Sequence, residues 1–284
     1  MTSDSLELGR PENLRSAQPR TVRNTLTKGS AIGLGVAMLW FSMLVLIPLA
    51  AVIVTASSGG WSAFWAAITT PQTWHAITLT VTAALVVTLV NVVMGTAIAW
   101  VLVRDRFWGR GFFEVLIDIP FALPTIVAGL VLLSLYGRDS PLGINVANAP
   151  AAVYLAFAFV TLPFVVRTVQ PVLEELEAEV EEAAASLGAS RTTTFHRIIL
   201  PSLAPAIAAG AALSFARGVS EYGSLVLLSG NLPMRSEVTS VRILSSIEND
   251  NLVGAAAVAT VLLVISLAVI ILLDVLQRKV AARA

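Results

Sequence analysis

The stretch Glu174–Pro201, EELEAEVEEAAASLGASRTTTFHRIILP, organises everything around it. Six glutamates crowd its first half, and Arg191 and Arg197 stand in its second. Glu and Ala are strong helix formers, so propensity predicts helix up to Ser186. Gly188 supplies the stop, since glycine enters the left-handed region past a helix C-terminus without a Cβ penalty. Ser190 can then cap a second short helix, Arg191–Ile199, which Pro201 is expected to end. The expectation is helix, glycine, helix, lying at a membrane surface. Ala183, Ala184 and Ala185 at the bend are small enough to admit another protein closely. A solvated acidic connector would carry the same glutamates, and charge alone does not separate the two.

Outward from this stretch the charge disappears. A bilayer core of about 30 Å needs roughly 20 residues of helix. Six apolar stretches meet that length: Ala31–Ala56, Ala76–Val103, Phe112–Tyr136, Pro150–Val172, Leu203–Leu228 and Leu252–Leu276. The third carries Glu114, Asp118, Pro120 and Pro124, and its prolines should bend or break it, a natural property for a gate beside a pore. Of 284 residues, 56% are hydrophobic and 13% charged, against about 45–50% and about 25% in soluble domains. The fold class is therefore all-α integral membrane with six transmembrane helices. The absence of cysteine excludes disulfides, a thiol nucleophile and thiolate metal sites. His75 and His196 both fall outside the spans, which argues against a histidine metal centre and denies Ser220 the partner an intramembrane serine protease needs. No inverted repeat of the kind secondary transporters use is visible.

Eighteen basic residues balance eighteen acidic ones, so only their distribution informs. Thirteen of the basic residues (Arg10, Arg15, Arg20, Arg23, Lys28, Arg104, Arg106, Arg110, Arg191, Arg197, Arg278, Lys279 and Arg283) fall on one side of the six spans, and three (Arg138, Arg235 and Arg242) on the other. Positive loops stay in the cytoplasm, so both termini are expected there. Residues 1–28 read as a polar, disordered cytoplasmic tail, 29–56 as an uncleaved first span, and 72–277 as the core with five spans and the loop 174–201. Trp61 and Trp65, in the uncharged outer loop, suit an interfacial belt.

Within the opening stretch, Glu182-Ala183-Ala184, three residues, Gly188, nine residues, Ile198, one residue and Leu200-Pro201 match E-A-A-x3-G-x9-I-x-L-P at every fixed position. This resembles the EAA loop of ABC importer permeases. The resemblance implies a type I importer permease fold in which these seven residues form a coupling helix seated on an ATPase subunit. Such a rigid element can pass a rigid-body movement to the spans. The chain has no G-x-x-x-x-G-K-[ST], so it cannot cradle nucleotide phosphates itself. The expectation is a pore-forming subunit without enzyme activity or cofactor, its ATP and Mg held by a partner.

Four further stretches, Asp118–Thr125 (DIPFALPT), Thr161–Arg167 (TLPFVVR), Glu221–Ser224 (EYGS) and Ser229–Pro233 (SGNLP), are similar to the T-type subunit of sulfate/thiosulfate permeases. That family implies a W-type homologous permease beside this chain, two ATP-binding subunits, an extracytoplasmic sulfate-binding protein and the bacterial cytoplasmic (inner) membrane. Molybdate and tungstate permeases share the architecture and are the alternative for the cargo.

Charges inside spans are expensive and mark function by default. Arg217 and Glu221 stand four apart near the middle of the fifth span, on one helical face. They form an internal pair, or Arg217 faces the pathway with Glu221 holding it; both readings stand. With Pro120, Pro124 and Thr125 they are the candidate pathway and gate residues. Glu114 and Asp118 lie within reach of Arg104–Arg110, as a surface ion network, and Arg167 can snorkel to the interface. Asn91 suits a role as glue between helices. Ala204, Ala206, Ala208, Ala209, Gly210, Ala211, Ala212 and Gly218 allow close helix approach, within this chain or across a dimer seam. Finally, Glu237–Glu248 spaces Val238, Val241, Leu244 and Ile247 as one face of a short outer helix, where a binding protein could dock.

Overall fold

The computed structural model describes residues 27–176 and 178–281; residues 1–26 of the N-terminal tail, and Arg283 of the orientation tally, lie outside the described residues. Two compact units are separable, one up to Pro48 and one from Leu49. The helices are α1 (Gly29–Ser58), α2 (Gly60–Ile68), α3 (Pro71–Arg104), α4 (Arg110–Ala122), α5 (Thr125–Tyr136), α6 (Pro150–Glu175), α7 (Ala178–Ser186), α8 (Arg191–Val219), α9 (Gly223–Leu228), α10 (Thr239–Glu248) and α11 (Leu252–Ala281). No strand occurs among the described residues. Five of these helices, α1, α3, α6, α8 and α11, are long and apolar enough to cross a membrane. The sixth crossing is a bent pair.

That pair is α4 and α5, which meet at 117°. Pro124 is the cause: its ring disfavours helical ψ at the preceding residue, and Leu123 is extended at φ −83°, ψ 135°. The third span is thus broken as its prolines require, and Phe112–Tyr136 is no continuous helix. Where α4 swings away from α5, it leaves an apolar groove of about 950 Å³ lined by Met94, Val101, Leu116, Pro120, Leu123 and Pro163, among others.

In the second unit, α6 is the centre. Phe157, Val165, Val166, Val169 and Leu173 are fully buried on it, against Ala84, Val87, Ala99 and Leu102 of α3 and Leu203 and Phe215 of α8. Small residues set the approach distances. A Cβ at Gly95 would stand 2.8 Å from that of Val165, and one at Gly210 would lie 3.0 Å from the Val165 Cα. The small residues of the fifth span therefore serve packing inside this chain at Gly210, and Gly218 meets Phe157, Ala84 and Thr161. Asn91 is buried where the three helices meet. Its Nδ2 donates to Thr161 Oγ1 at 2.8 Å and to Ser214 Oγ at 3.4 Å. A satisfied amide in an apolar bundle locks register without leaving an orphan donor.

Two expectations about the fifth span are corrected. Pro201 does not end a short helix: α8 runs unbroken from Arg191 to Val219. A π turn over Phe195–Ile199 precedes the proline, and the Leu200 N–H donates to the Phe195 carbonyl five residues back. This wider turn accommodates a residue that has no N–H and whose ring crowds the carbonyl four residues back. The span also does not continue to Leu228. It breaks over Ser220–Tyr222, and α9 follows as a separate short helix.

Outside the spans, Trp61, Phe64 and Trp65 stack on α2, with Trp61 and Trp65 exposed. Val238 and Val241, expected on the face of an outer helix, are buried, while Ile247 is exposed. Val238 precedes α10 as its cap residue. Thr239 fixes the helix against α3, its N–H donating to Thr80 Oγ1 at 2.9 Å and its hydroxyl to the Ala76 carbonyl. The apolar side of α10 therefore covers this chain's own core.

Candidate functional site

The loop of the opening stretch folds as helix, glycine, helix. Gly188 sits at φ +82°, the left-handed conformation its position demands. The Ala189 N–H donates to the Ala184 carbonyl at 3.0 Å and the Gly188 N–H to the Ala185 carbonyl at 2.9 Å, the paired bonds of a Schellman cap. Ser190 then caps α8, its Oγ accepting from the Thr193 N–H at 3.2 Å. Two caps in three residues make a rigid corner. Glu182 and Ala183 are exposed on α7, and Ala184 is buried. Leu187, at the tip, is 90% exposed. Sequence reasoning passed over Leu187; the signal was an apolar residue between a helix end and its glycine stop.

The loop is tied back to the bundle at its hinge. Leu176 breaks the chain between α6 and α7, at φ −75°, ψ 99°. Arg104, the last residue of α3, donates through Nη2 to the Leu176 carbonyl at 2.9 Å and pairs with Glu181 at 2.8 Å. Ile198 and Leu200-Pro201, the far end of the motif, lie in and just after the π turn.

The candidate pathway residues come together at two helix breaks. Val219 ends α8, so Glu221 lies beyond the helix and not on a continuous helical face as expected. Arg217 Nη2 nevertheless stands 2.7 Å from Glu221 Oε2, and the pairing expected of these residues is present. Glu221 is 1% exposed, and its Oε1 accepts from the Ser224 N–H and Oγ, both at 2.9 Å. A buried carboxylate is tolerated only when paired and hydrogen-bonded, and this one is both. It holds the first turn of α9 in place. Beside it, a Cβ on Gly223 would fall 2.1 Å from Thr125 Oγ1, and one on Gly129 would fall 2.6 Å from the Ser224 carbonyl oxygen. The break at Leu123–Pro124 and the break at Ser220–Tyr222 are thus adjacent, with α5 and α9 packed backbone to backbone. Pro120 lies in the last turn of α4, just before the first break.

The other charges differ from expectation. Arg110 pairs with Glu114 at 2.9 Å, as a local network predicts. Asp118 is not paired with Arg110. Instead Arg167 forks onto Asp118, Nε to Oδ1 at 2.8 Å and Nη2 to Oδ2 at 2.6 Å. Arg167 therefore does not snorkel away from the bundle, because a carboxylate of matching geometry faces it from α4.

These features define a multi-pass helical membrane protein with a doubly capped loop and two adjacent helix breaks. Residues 91–282 match the family described as "Binding-protein-dependent transport system inner membrane component", and the chain belongs to it. Among its relatives is the sulfate transport system permease protein CysT of Salmonella typhimurium, 40% identical over 262 residues, covering 90% of this chain and 95% of that one. CysT of Escherichia coli matches at the same identity and coverage, and CysT of Synechocystis at 41% over 250 residues, covering 86% of this chain and 87% of that one. The resemblance to T-type permeases drawn from the motifs is borne out. The fold is similar to a bacterial ABC transporter involved in the import of the acidic polysaccharide alginate, with a TM-score of 0.71 at 15% identity over 88% of this chain and 94% of that one.

Proposed function

We propose that this chain is one transmembrane half of an ATP-driven importer of sulfate, and of thiosulfate, in the bacterial cytoplasmic membrane. The observation that carries the cargo is 40% identity to CysT sulfate permeases across 95% of their length. The pathway half is completed by a W-type permease, and two ATP-binding subunits sit beneath it. An extracytoplasmic binding protein delivers the anion; the alginate transporter that shares the fold has been crystallised with a periplasmic protein bound. Both termini and the α7–α8 corner face the cytoplasm.

Energy enters through that corner. Glu182, Ala183, Ala184 and Gly188, with the exposed Leu187, form the part seated on the ATPase, and Ile198, Leu200 and Pro201 carry its movement into α8. Support comes from the geometry: two caps fix the corner as one rigid piece, and Arg104 ties its hinge to α3. A rigid piece held at both ends converts ATPase closure into helix movement. The paired breaks at Leu123–Pro124 and Ser220–Tyr222 are the gate, with Thr125 and the Arg217–Glu221 pair at its wall.

The test is uptake of sulfate-35 in cells carrying Glu182→Lys or Gly188→Asp, with membrane levels measured in parallel. Loss of uptake at normal levels supports the reading. Normal uptake at normal levels refutes it.

A further inference from the structure

The half-helix α4 is attached to the rest of the molecule in an unusual way. None of its residues is buried. Ile117 packs on the core that α6 shares with α3, and Phe121 meets Phe164 edge-on at 4.8 Å between ring centroids; beside these apolar contacts run polar links to α6. They form one connected set. Arg167 of α6 forks onto Asp118, and its Nη2 also donates to the Glu114 carbonyl at 3.1 Å. Arg167 Nη1 donates to Gln170 Oε1 at 2.8 Å, and Gln170 Nε2 donates to Glu174 Oε1 at 3.0 Å. Glu174 lies 3.9 Å from Arg110, which pairs with Glu114. The set thus begins at Glu174, two residues from the hinge Leu176, and ends on Asp118, two residues before Pro120.

We infer that the Asp118–Arg167 fork is the positioning link that makes α4 follow α6 and the α7–α8 corner, and so carries ATPase movement to the first break of the gate. The inference rests on the coupling reading given under Proposed function. A fork of two parallel charge-assisted bonds fixes orientation as well as distance. A helix held only by apolar contacts such as those of Ile117 and Phe121 could slide or roll; one also held by a guanidinium fork turns with the helix that carries the arginine. The neighbours share the load: Gln170 and the Glu114 carbonyl hold the guanidinium plane, so that Asp118 meets a preset geometry. Break the fork, and the corner can still move with its ATPase while α4 lags.

The experiment uses the full complex in proteoliposomes, with the partner permease, ATPase subunits and binding protein. It measures sulfate-35 accumulated per ATP hydrolysed for Asp118→Asn, Arg167→Gln and the reversed pair Asp118→Arg with Arg167→Asp. Each single variant is expected to lower sulfate per ATP by about 5-fold or more, the range of an ordinary coupling between sites, while hydrolysis continues near the wild-type rate. The reversed pair is expected to recover much of the ratio. A purely structural link would lower hydrolysis and uptake together, or lose the assembled complex; either result, or an unchanged ratio, overturns the inference. Glu182→Lys is run alongside. If it blocks transport while the fork variants keep the wild-type ratio, only this inference fails. If Glu182→Lys also leaves transport untouched, the coupling reading beneath it fails.

Discussion

Replacing Gly129 with alanine isolates the contact on which the paired breaks depend. The new Cβ would lie 2.6 Å from the Ser224 carbonyl oxygen, 2.8 Å from its Cα and 3.1 Å from its carbonyl carbon. All three are backbone atoms and cannot rotate away. A carbon approaches an oxygen no nearer than about 3.3 Å, so α5 and α9 must part by roughly 0.7 Å. Overpacking of this kind costs about 1–3 kcal/mol, and the alanine returns about 1 kcal/mol in helix propensity. The net is a destabilisation of up to about 2 kcal/mol, or a melting point lower by up to about 4–8 °C. Gly218→Ala is the matched control. Its Cβ would meet nothing nearer than 3.6 Å, so it should be neutral or slightly stabilising. The assay is thermal unfolding of the purified permease in detergent, with sulfate uptake measured on the same variants. A Gly129→Ala protein melting at or above Gly218→Ala would refute the close packing of the two half-helices.

Two other substitutions test the site. Arg217→Gln leaves Glu221 buried without its cation, at a cost of about 3 kcal/mol, the low end for such pairs because Arg217 is itself partly exposed. Adding Glu221→Gln should restore folding, measured by yield and melting point; uptake that returns with it makes the pair structural, and uptake that stays lost makes Arg217 part of the pathway. Gly188→Val should weaken the corner by about 1–2 kcal/mol through its positive φ alone, since no atom lies within 4 Å of the new Cβ. Gly188→Asn, which tolerates that conformation, should retain more uptake than Gly188→Val in the same cells.

Much of this architecture was legible in the sequence because its causes are local. The Gly188 stop, the Ser190 cap and the break before Pro124 each follow from one residue's own backbone chemistry. Apolar length marked the crossings, and the spacing from Glu182 to Pro201 marked the loop proposed to couple to an ATPase. What escaped depended on partners far along the chain or on compensation. No proline or doublet of glycines marks the break at Ser220–Tyr222; it is stabilised by the Glu221 carboxylate capturing the Ser224 N–H. Arg167 lies 49 residues from Asp118, so hydropathy alone sends it to the interface. Pro201 would end an ordinary α-helix, and only the π turn before it lets α8 continue. The apolar face of α10 was legible, but which surface it covers was not, since periodicity does not distinguish a chain's own core from a partner.

We propose that this chain conducts sulfate using energy supplied by other subunits through the α7–α8 corner. The most direct measurement is sulfate-35 accumulation in proteoliposomes holding this chain and its W-type partner, with and without the ATP-binding subunits, binding protein and ATP. Accumulation is expected only when all are present, and none when Glu182→Lys replaces the wild-type chain. Accumulation without the ATP-binding subunits, or undiminished with Glu182→Lys, would contradict it.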